Sequence, residues 1–345
     1  MARLPSRIEL VVRSYRSELA RLEAEYTRSV GPQRALLRAR LRDAAGKFVR
    51  DARNAGLPAR VTRRWVTNLP AYRELLAMAQ AELDSLAAEA VRAIQWQIAE
   101  SAQLGKPATD AMVLATLNAN ATEAAALASS FGQVPTGAIR ELVGQLQASS
   151  PLANLPRLNA EAVETMGREL VRGMVNGTNS RVIGRRIAAA SDIPVARAQT
   201  IARTESHRAF RESSRLAMQA NPVVQEWVWH ADLSPRTCSA CWSMHGEVFD
   251  TDEVMGSHPN CRCTMLPKVT PPAWMDAPDV TYHTGEELFA ELSGDAQREI
   301  LGPGKYTAYS EGKITLRDTV RVTESDEWGV TRSTASLRDA LGAKV

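Results

Sequence analysis

The residues best suited to chemistry in this 345-residue chain are its four cysteines, Cys238, Cys241, Cys261 and Cys263, all within 26 positions. The pattern is Cys238-x2-Cys241, then sixteen residues, then His258-x2-Cys261-x-Cys263. A CxxC makes a tight knuckle whose backbone amides point at the thiolate sulfurs, which suits one half of a tetrahedral zinc site. His258 and Cys261, again separated by two residues, bring the other half. In an extended segment Cys261 and Cys263 face the same side, so either sulfur can reach the ion. Five candidates therefore compete for four places. Once four are filled no position remains for water, so the expected zinc is structural and not catalytic. It would contribute on the order of 10 kcal/mol to a segment that lacks a large core of its own.

Other chemistries fit less well. An iron–sulfur cluster site usually takes four cysteines and no histidine. A disulfide scaffold would spread its cysteines through a small secreted domain. A zinc deaminase carries H-x-E, a spacer, then P-C-x-x-C. Here His230-Ala231-Asp232 lacks the glutamate, and Pro235 does not abut Cys238. His258, Cys261 and Cys263 would then have no role. The chain has no G-x-x-x-x-G-K-S/T, no G-x-S-x-G and no H-E-x-x-H, so ATPase, α/β-hydrolase and zincin readings lack support. His207 and His230 read as surface or capping histidines, and His245 as a reserve ligand. Trp227 and Trp229 share one face of a strand and are expected to form core over the metal site.

The elements that must position this cluster are mostly helical. Ile8, Val12, Tyr15, Leu19, Leu22 and Tyr26 recur at steps of four and three, a seam that predicts a helix over 6–29. Gly31-Pro32 is expected to end it. A second helix to about Arg53 would complete a hairpin. A third helix is predicted over 70–103, with Gly105-Lys106-Pro107 as a break. Shorter helices follow at 108–130 and 136–148, and 149–156 reads as a linker. Helices at 159–175, 180–190 and 192–220 come next. After Pro222 the character changes to short antiparallel strands, QEWVWHAD, GEVFDTDE and RCTMLPKV. A small α+β tail is expected beyond Thr270-Pro271-Pro272. It holds a helix near 285–300, a turn at Gly302-Pro303-Gly304 and a mobile end. The expected fold class is mainly α with a small α+β zinc-binding module. The expected domains are 1–150, 151–270 with the zinc module at 222–270, and 271–345.

Charge is uneven. Residues 1–64 hold 16 Lys/Arg against 6 Asp/Glu, whereas the rest hold 26 against 33. A basic arm on a mildly acidic body suggests an acidic partner for that arm. No stretch approaches the roughly 20 apolar residues of a membrane helix, and the start lacks the apolar run of a secretory leader. No membrane partner is expected.

The stretch from about Val163 to Val269 resembles the phage Mu F-type minor head protein family, also called phage head morphogenesis proteins. The residues that carry the resemblance run in order. Arg203-Thr204-Glu205 matches the family's R-T-E, and Trp227 or Trp229 its tryptophan. Asp232, Arg236-Thr237-Cys238 and Cys241 correspond to D-x-R-T-C-x-x-C, with three residues between Asp232 and Arg236 in place of one. Gly246 follows, and His258-Pro259-Asn260-Cys261-Arg262-Cys263 matches H-P-x-C-R-C. Ser243-Met244-His245 and Met255-Gly256-Ser257 depart from the family's usual loop residues. The resemblance covers about a third of the chain. It implies a non-enzymatic virion component in the phage head interior or at the portal vertex, present in the host cytoplasm during assembly. The implied partners are the portal protein and major capsid or scaffold proteins. The implied work is head assembly, and in some members DNA packaging or ejection. The helical amino-terminal half, 1–150, would be the portal-docking arm. Glu205 reads as a structural clamp toward Arg236 or Arg262. The alternatives are a zinc-dependent nucleic-acid enzyme, nuclease or deaminase-like, and a plain DNA-binding protein.

Overall fold

The computed structural model describes residues 5–342, and the chain is mainly helical. The first and last few residues of the expected basic arm and tail, 1–4 and 343–345, lie outside the described residues. In chain order the elements are α1 (Ser6–Asn54), α2 (Arg63–Asn68), α3 (Pro70–Leu117), α4 (Ala121–Ser130), α5 (Thr136–Gln147), α6 (Ser150–Ala153), α7 (Leu155–Val175), α8 (Ser180–Ala190), α9 (Asp192–Gln219), β1 (Val224–His230), α10 (Ser239–Met244), β2 (Val248–Asp250), β3 (Thr264–Val269), α11 (Gly285–Ala290), α12 (Gly294–Leu301), α13 (Pro303–Ser310), β4 (Val320–Ser325), β5 (Gly329–Thr334) and α14 (Leu337–Ala340). No helix among the described residues is long and apolar enough to cross a membrane.

Two expected breaks are not breaks. Pro32 lies inside α1 and Pro107 inside α3, so the hairpin over 6–53 is instead one helix. A helix-interior proline costs about 3 kcal/mol. Around Pro32 that cost is offset by burial on both sides, with Tyr26, Val30, Leu37 and Leu41 all buried. Arg34 and Arg38 on the next turn both pair with Asp192 at the start of α9. Gly105 is there for contact, not for termination. A Cβ on it would stand 2.2 Å from the Ser213 hydroxyl of α9. Ser213 Oγ donates to the Ala102 carbonyl at 2.5 Å, so the helices meet backbone to side chain at that point.

The chain divides into two compact units, each assembled from separated stretches. One takes residues through Arg21, Ile98–Leu146 and everything from Thr204 onward; the other takes Leu22–Gln97 and Gln147–Arg203. The expected blocks 1–150, 151–270 and 271–345 follow chain order, whereas α1, α3 and α9 each contribute to both units. In the second unit, α7 packs on α8, and Gly173 leaves room for Ile183. Arg40 pairs with Glu82, and Asn159 donates to Asp84.

The first unit holds a three-stranded antiparallel sheet in the order β2-β1-β3. Trp227 faces Phe249 on one side and Pro267 on the other, and Trp229 faces Met265. The central strand is buried on both faces. Trp227 and Trp229 share a core with Cys241, Cys261, Cys263 and Met265. Val228 and Leu266 pack instead with Ile8, Val12 and Leu19 of α1, Met112 of α3 and Phe210 of α9. The amino-terminal part of the α1 seam is therefore covered within its own unit. In the tail, β4 and β5 form a hairpin, and the Arg332 amide donates to the Gly256 carbonyl at 2.9 Å, two residues before His258. The expected helix at 285–300 is split by Ser293, which caps α12, and Pro303 begins α13 instead of completing a turn.

Candidate metal centre

Cys238 caps the short helix α10, and its sulfur accepts the Cys241 amide at 3.4 Å. This is the amide-to-sulfur knuckle that a CxxC favours. The second knuckle is the turn His258-Pro259-Asn260-Cys261, where Asn260 adopts a left-handed φ of 65°. Asparagine tolerates that region better than most side chains. β3 follows at once, so Cys263 sits one residue before the strand.

The turn is held by α9. Thr204 Oγ1 accepts the Asn260 amide at 3.0 Å. Arg211, almost fully buried, bonds Ser257 Oγ and donates to the Cys261 carbonyl at 3.2 Å. Thr204 and Arg211 are seven residues apart, two helical turns on one face. Neither Arg211 nor Ser257 stands out in the sequence. The heptad spacing from Thr204 is the signal that could have found the arginine.

Cys238, Cys241 and His258 converge closely, and Cys261 approaches them through Cys241. His258 Nε2 is 3.3 Å from the sulfurs of both Cys238 and Cys241, and the Cys241 and Cys261 sulfurs are 3.7 Å apart. Zinc bonds of ~2.3 Å to sulfur and ~2.0 Å to nitrogen give tetrahedral edges of roughly 3.5–3.8 Å. These three separations suit an ion of that size. His258 Nδ1 lies 2.8 Å from the Pro259 carbonyl, a contact that keeps the proton on Nδ1 and leaves Nε2 for a metal. Cys263 belongs to a second group with Cys241 and Cys261. Either group could hold a metal, and Cys241 is common to both.

The electrostatics are those of crowded sulfurs. The hydrogen bond from Cys241 draws the Cys238 thiol down to about 4, against its burial, while the same bond pushes Cys241 up. Burial opposes a charged His258, yet its hydrogen bonds to Cys238 and Cys261 lift it to about 10. Buried thiolates at these separations repel one another, and a cation removes that repulsion.

The remaining motif residues divide into those at the centre and those away from it. Trp227 and Trp229 are core beside the cysteines, as expected, and Trp227 stacks on Phe249 with ring centroids 4.4 Å apart. Gly246 takes φ +85° and donates to the Trp229 carbonyl at 2.9 Å; a Cβ there would strike the His283 carbonyl at 2.5 Å. Asp232 pairs with Arg16 of α1 at 2.6 Å. Arg203 lies in the other unit, paired with Glu23. Arg236 and Arg262 are exposed. Glu205 is fully buried, and neither carboxyl oxygen has a hydrogen-bond partner. The charges bearing on it are Arg208 and Arg211 of its own helix, not Arg236 or Arg262. His207 is buried, which corrects its reading as a surface residue. His245 accepts the Ala231 amide on Nδ1 at 3.1 Å and packs against His230, apart from both ligand groups.

With this geometry in place, residues 164–266 match the family model described as Phage Mu protein F like protein. This stretch is a Mu F-like segment. It runs from α7 through α9 to the middle of β3, and so contains both knuckles and the helix that braces them. No curated protein and no solved structure matches the chain. The matched stretch spans about a third of the chain.

Proposed function

We propose that this chain is a phage minor head protein that acts at the portal vertex during head assembly and has no turnover of its own. The observation that carries the reading is that the Mu F-like match falls on the segment holding the Cys/His cluster and the helix that braces it. Within that reading the cluster binds one structural zinc through Cys238, Cys241, His258 and Cys261, with Cys263 as the sulfur behind them. A filled tetrahedron leaves no site for a metal-bound water, which disfavours the nuclease and deaminase alternatives.

Portal docking does not use the α1 seam, because Ile8, Val12 and Leu19 are already buried in cis. Residues 5–21 also belong to the unit that holds the cysteines, so a deletion of 1–64 would damage the metal centre along with any docking surface. The cleaner test keeps the chain whole. Heads assembled with the portal protein should contain the chain at a few copies each, and heads assembled without the portal should lack it. Equal amounts in both, measured by quantitative mass spectrometry, would remove the portal from the proposal.

A second reading, contact with packaged DNA, is favoured by one feature of the Leu22–Gln97 and Gln147–Arg203 unit. Arg42, Arg50, Arg181 and Arg185 line a cavity of about 430 Å³, with Asp43 the acidic residue among them. Duplex DNA should bind the full chain with a steep salt dependence. Replacing Arg50 and Arg185 by glutamate should lower the slope of log K against log salt by roughly 0.9 for each phosphate that the variant no longer neutralises. An unchanged slope in the double variant would argue against this face.

A further inference from the structure

Arg16 is an arginine in an apolar seam, between Val12 and Leu19 on the face of α1 that packs against the sheet. Its Nη1 is committed to Asp232, in the loop that leads to Cys238. Its Nε and Nη2 are shielded from water and have no hydrogen-bond partner. Those two nitrogens form the side edge of the guanidinium, the edge that forks onto an anion. A shielded cationic edge is costly unless negative charge faces it.

Beyond Asp232, the groups whose ionised forms would bear on Arg16 are the thiols of Cys263 and Cys261. Arg16 and Cys263 also line the same small cavity, with Val12, Leu19 and Phe210 around them. A zinc ion bound by three thiolates and one neutral imidazole retains one net negative charge. That charge would be fixed in place beside the guanidinium, whereas free thiols share theirs with protons.

We infer that Arg16 is the outer positioning cation of the metal–thiolate centre, coupling the first turns of α1 to metal occupancy. The inference rests on the metal reading above. It makes the amino-terminal helix a part of the centre, although more than two hundred residues separate Arg16 from the first ligand. Outer partners of metal ligands typically govern affinity by 10–100-fold.

The test is a zinc titration of the full chain against a competing chromophoric chelator. Arg16→Met, which keeps the bulk and loses the charge, should weaken zinc binding 10–100-fold. Arg16→Lys keeps the charge without the fork and should fall between. Asp232→Asn should weaken binding less than Arg16→Met, because it leaves the guanidinium in place. An equal effect would mean that Arg16 acts only by holding Asp232. In parallel, hydrogen exchange of residues 6–21 should be slow in the zinc-loaded chain and faster after chelation. If Arg16→Met does not fold, Arg16→Lys and the exchange comparison carry the test. Wild-type affinity in the Arg16 variants, or exchange over 6–21 that ignores zinc, overturns the inference. Failure of the wild-type chain to bind zinc at all would instead overturn the metal reading beneath it.

Discussion

Removing the metal from the full-length chain, or replacing Cys241 by serine, is expected to open residues 222–270 to proteolysis. Helices of the Leu22–Gln97 and Gln147–Arg203 unit should keep their protection. Cys241 is the sharpest choice because it belongs to both candidate ligand groups. The expected effect is large for a structural reason. β2 has three residues and α10 six, and the core beneath the knuckles, with Trp227, Trp229 and Met265, contains the cysteines themselves, so uncompensated thiolates there would open it. Apparent binding energies for structural zinc are ~10–16 kcal/mol, and in small modules that energy is folding energy. Native protein should carry about one zinc per chain, as a single tetrahedral site requires. Elemental analysis after purification under reducing conditions checks the stoichiometry, and limited proteolysis checks the location. Metal-free protein with an intact 222–270 segment would refute the prediction. The other unit should be spared because it buries its own seam, with Leu41, Leu83 and Ile94 almost fully covered.

The second large effect concerns Glu205. Burial raises its carboxyl from the ordinary 4.5 to about 7, with Arg208 and Arg211 pulling only partly the other way. A raised acid favours its neutral form in the folded state. Stability from this group is therefore complete below the unfolded value, near pH 4.5, and declines as pH rises through about 7. The whole shift corresponds to about 3 kcal/mol, at roughly 1.4 kcal/mol per pH unit, for the group raised to about 7. Glu205→Gln removes the titration. The stability of the variant relative to wild type should grow by about that amount between pH 4.5 and pH 7.5. Denaturant unfolding of both proteins across that window measures the difference directly, because other titrating groups are common to the two. A difference that stays flat with pH would show that Glu205 is ionised at no cost. The clamp expected from sequence, with Glu205 salt-bridged across the metal module, would give the opposite sign: a lowered carboxyl and a variant that loses ground as pH rises.

What the sequence determined by itself is local. The ligand types and their spacing, the knuckle in Cys238-x2-Cys241 and the strand that turns Trp227 and Trp229 to one side all depend on neighbours within a few residues. Each was legible, because backbone preference and side-chain periodicity act over that range. Tertiary structure decided the rest. Pro32 and Pro107 end a helix in isolation, but here the flanking turns are buried, and packing outweighs a local cost of about 3 kcal/mol. Gly105 looks like a breaker until Ser213 is seen against it. In sequence Arg16 is one of the basic residues of 1–64, and Arg211 does not stand out. Only the fold shows that one lies against Asp232 and the cysteines, and that the other holds the turn between Ser257 and Cys261. Their roles come from contacts across 46 to 216 positions of sequence. Periodicity gives the face of a helix on which a residue sits; the partner waiting there is fixed only when the chain has closed on itself.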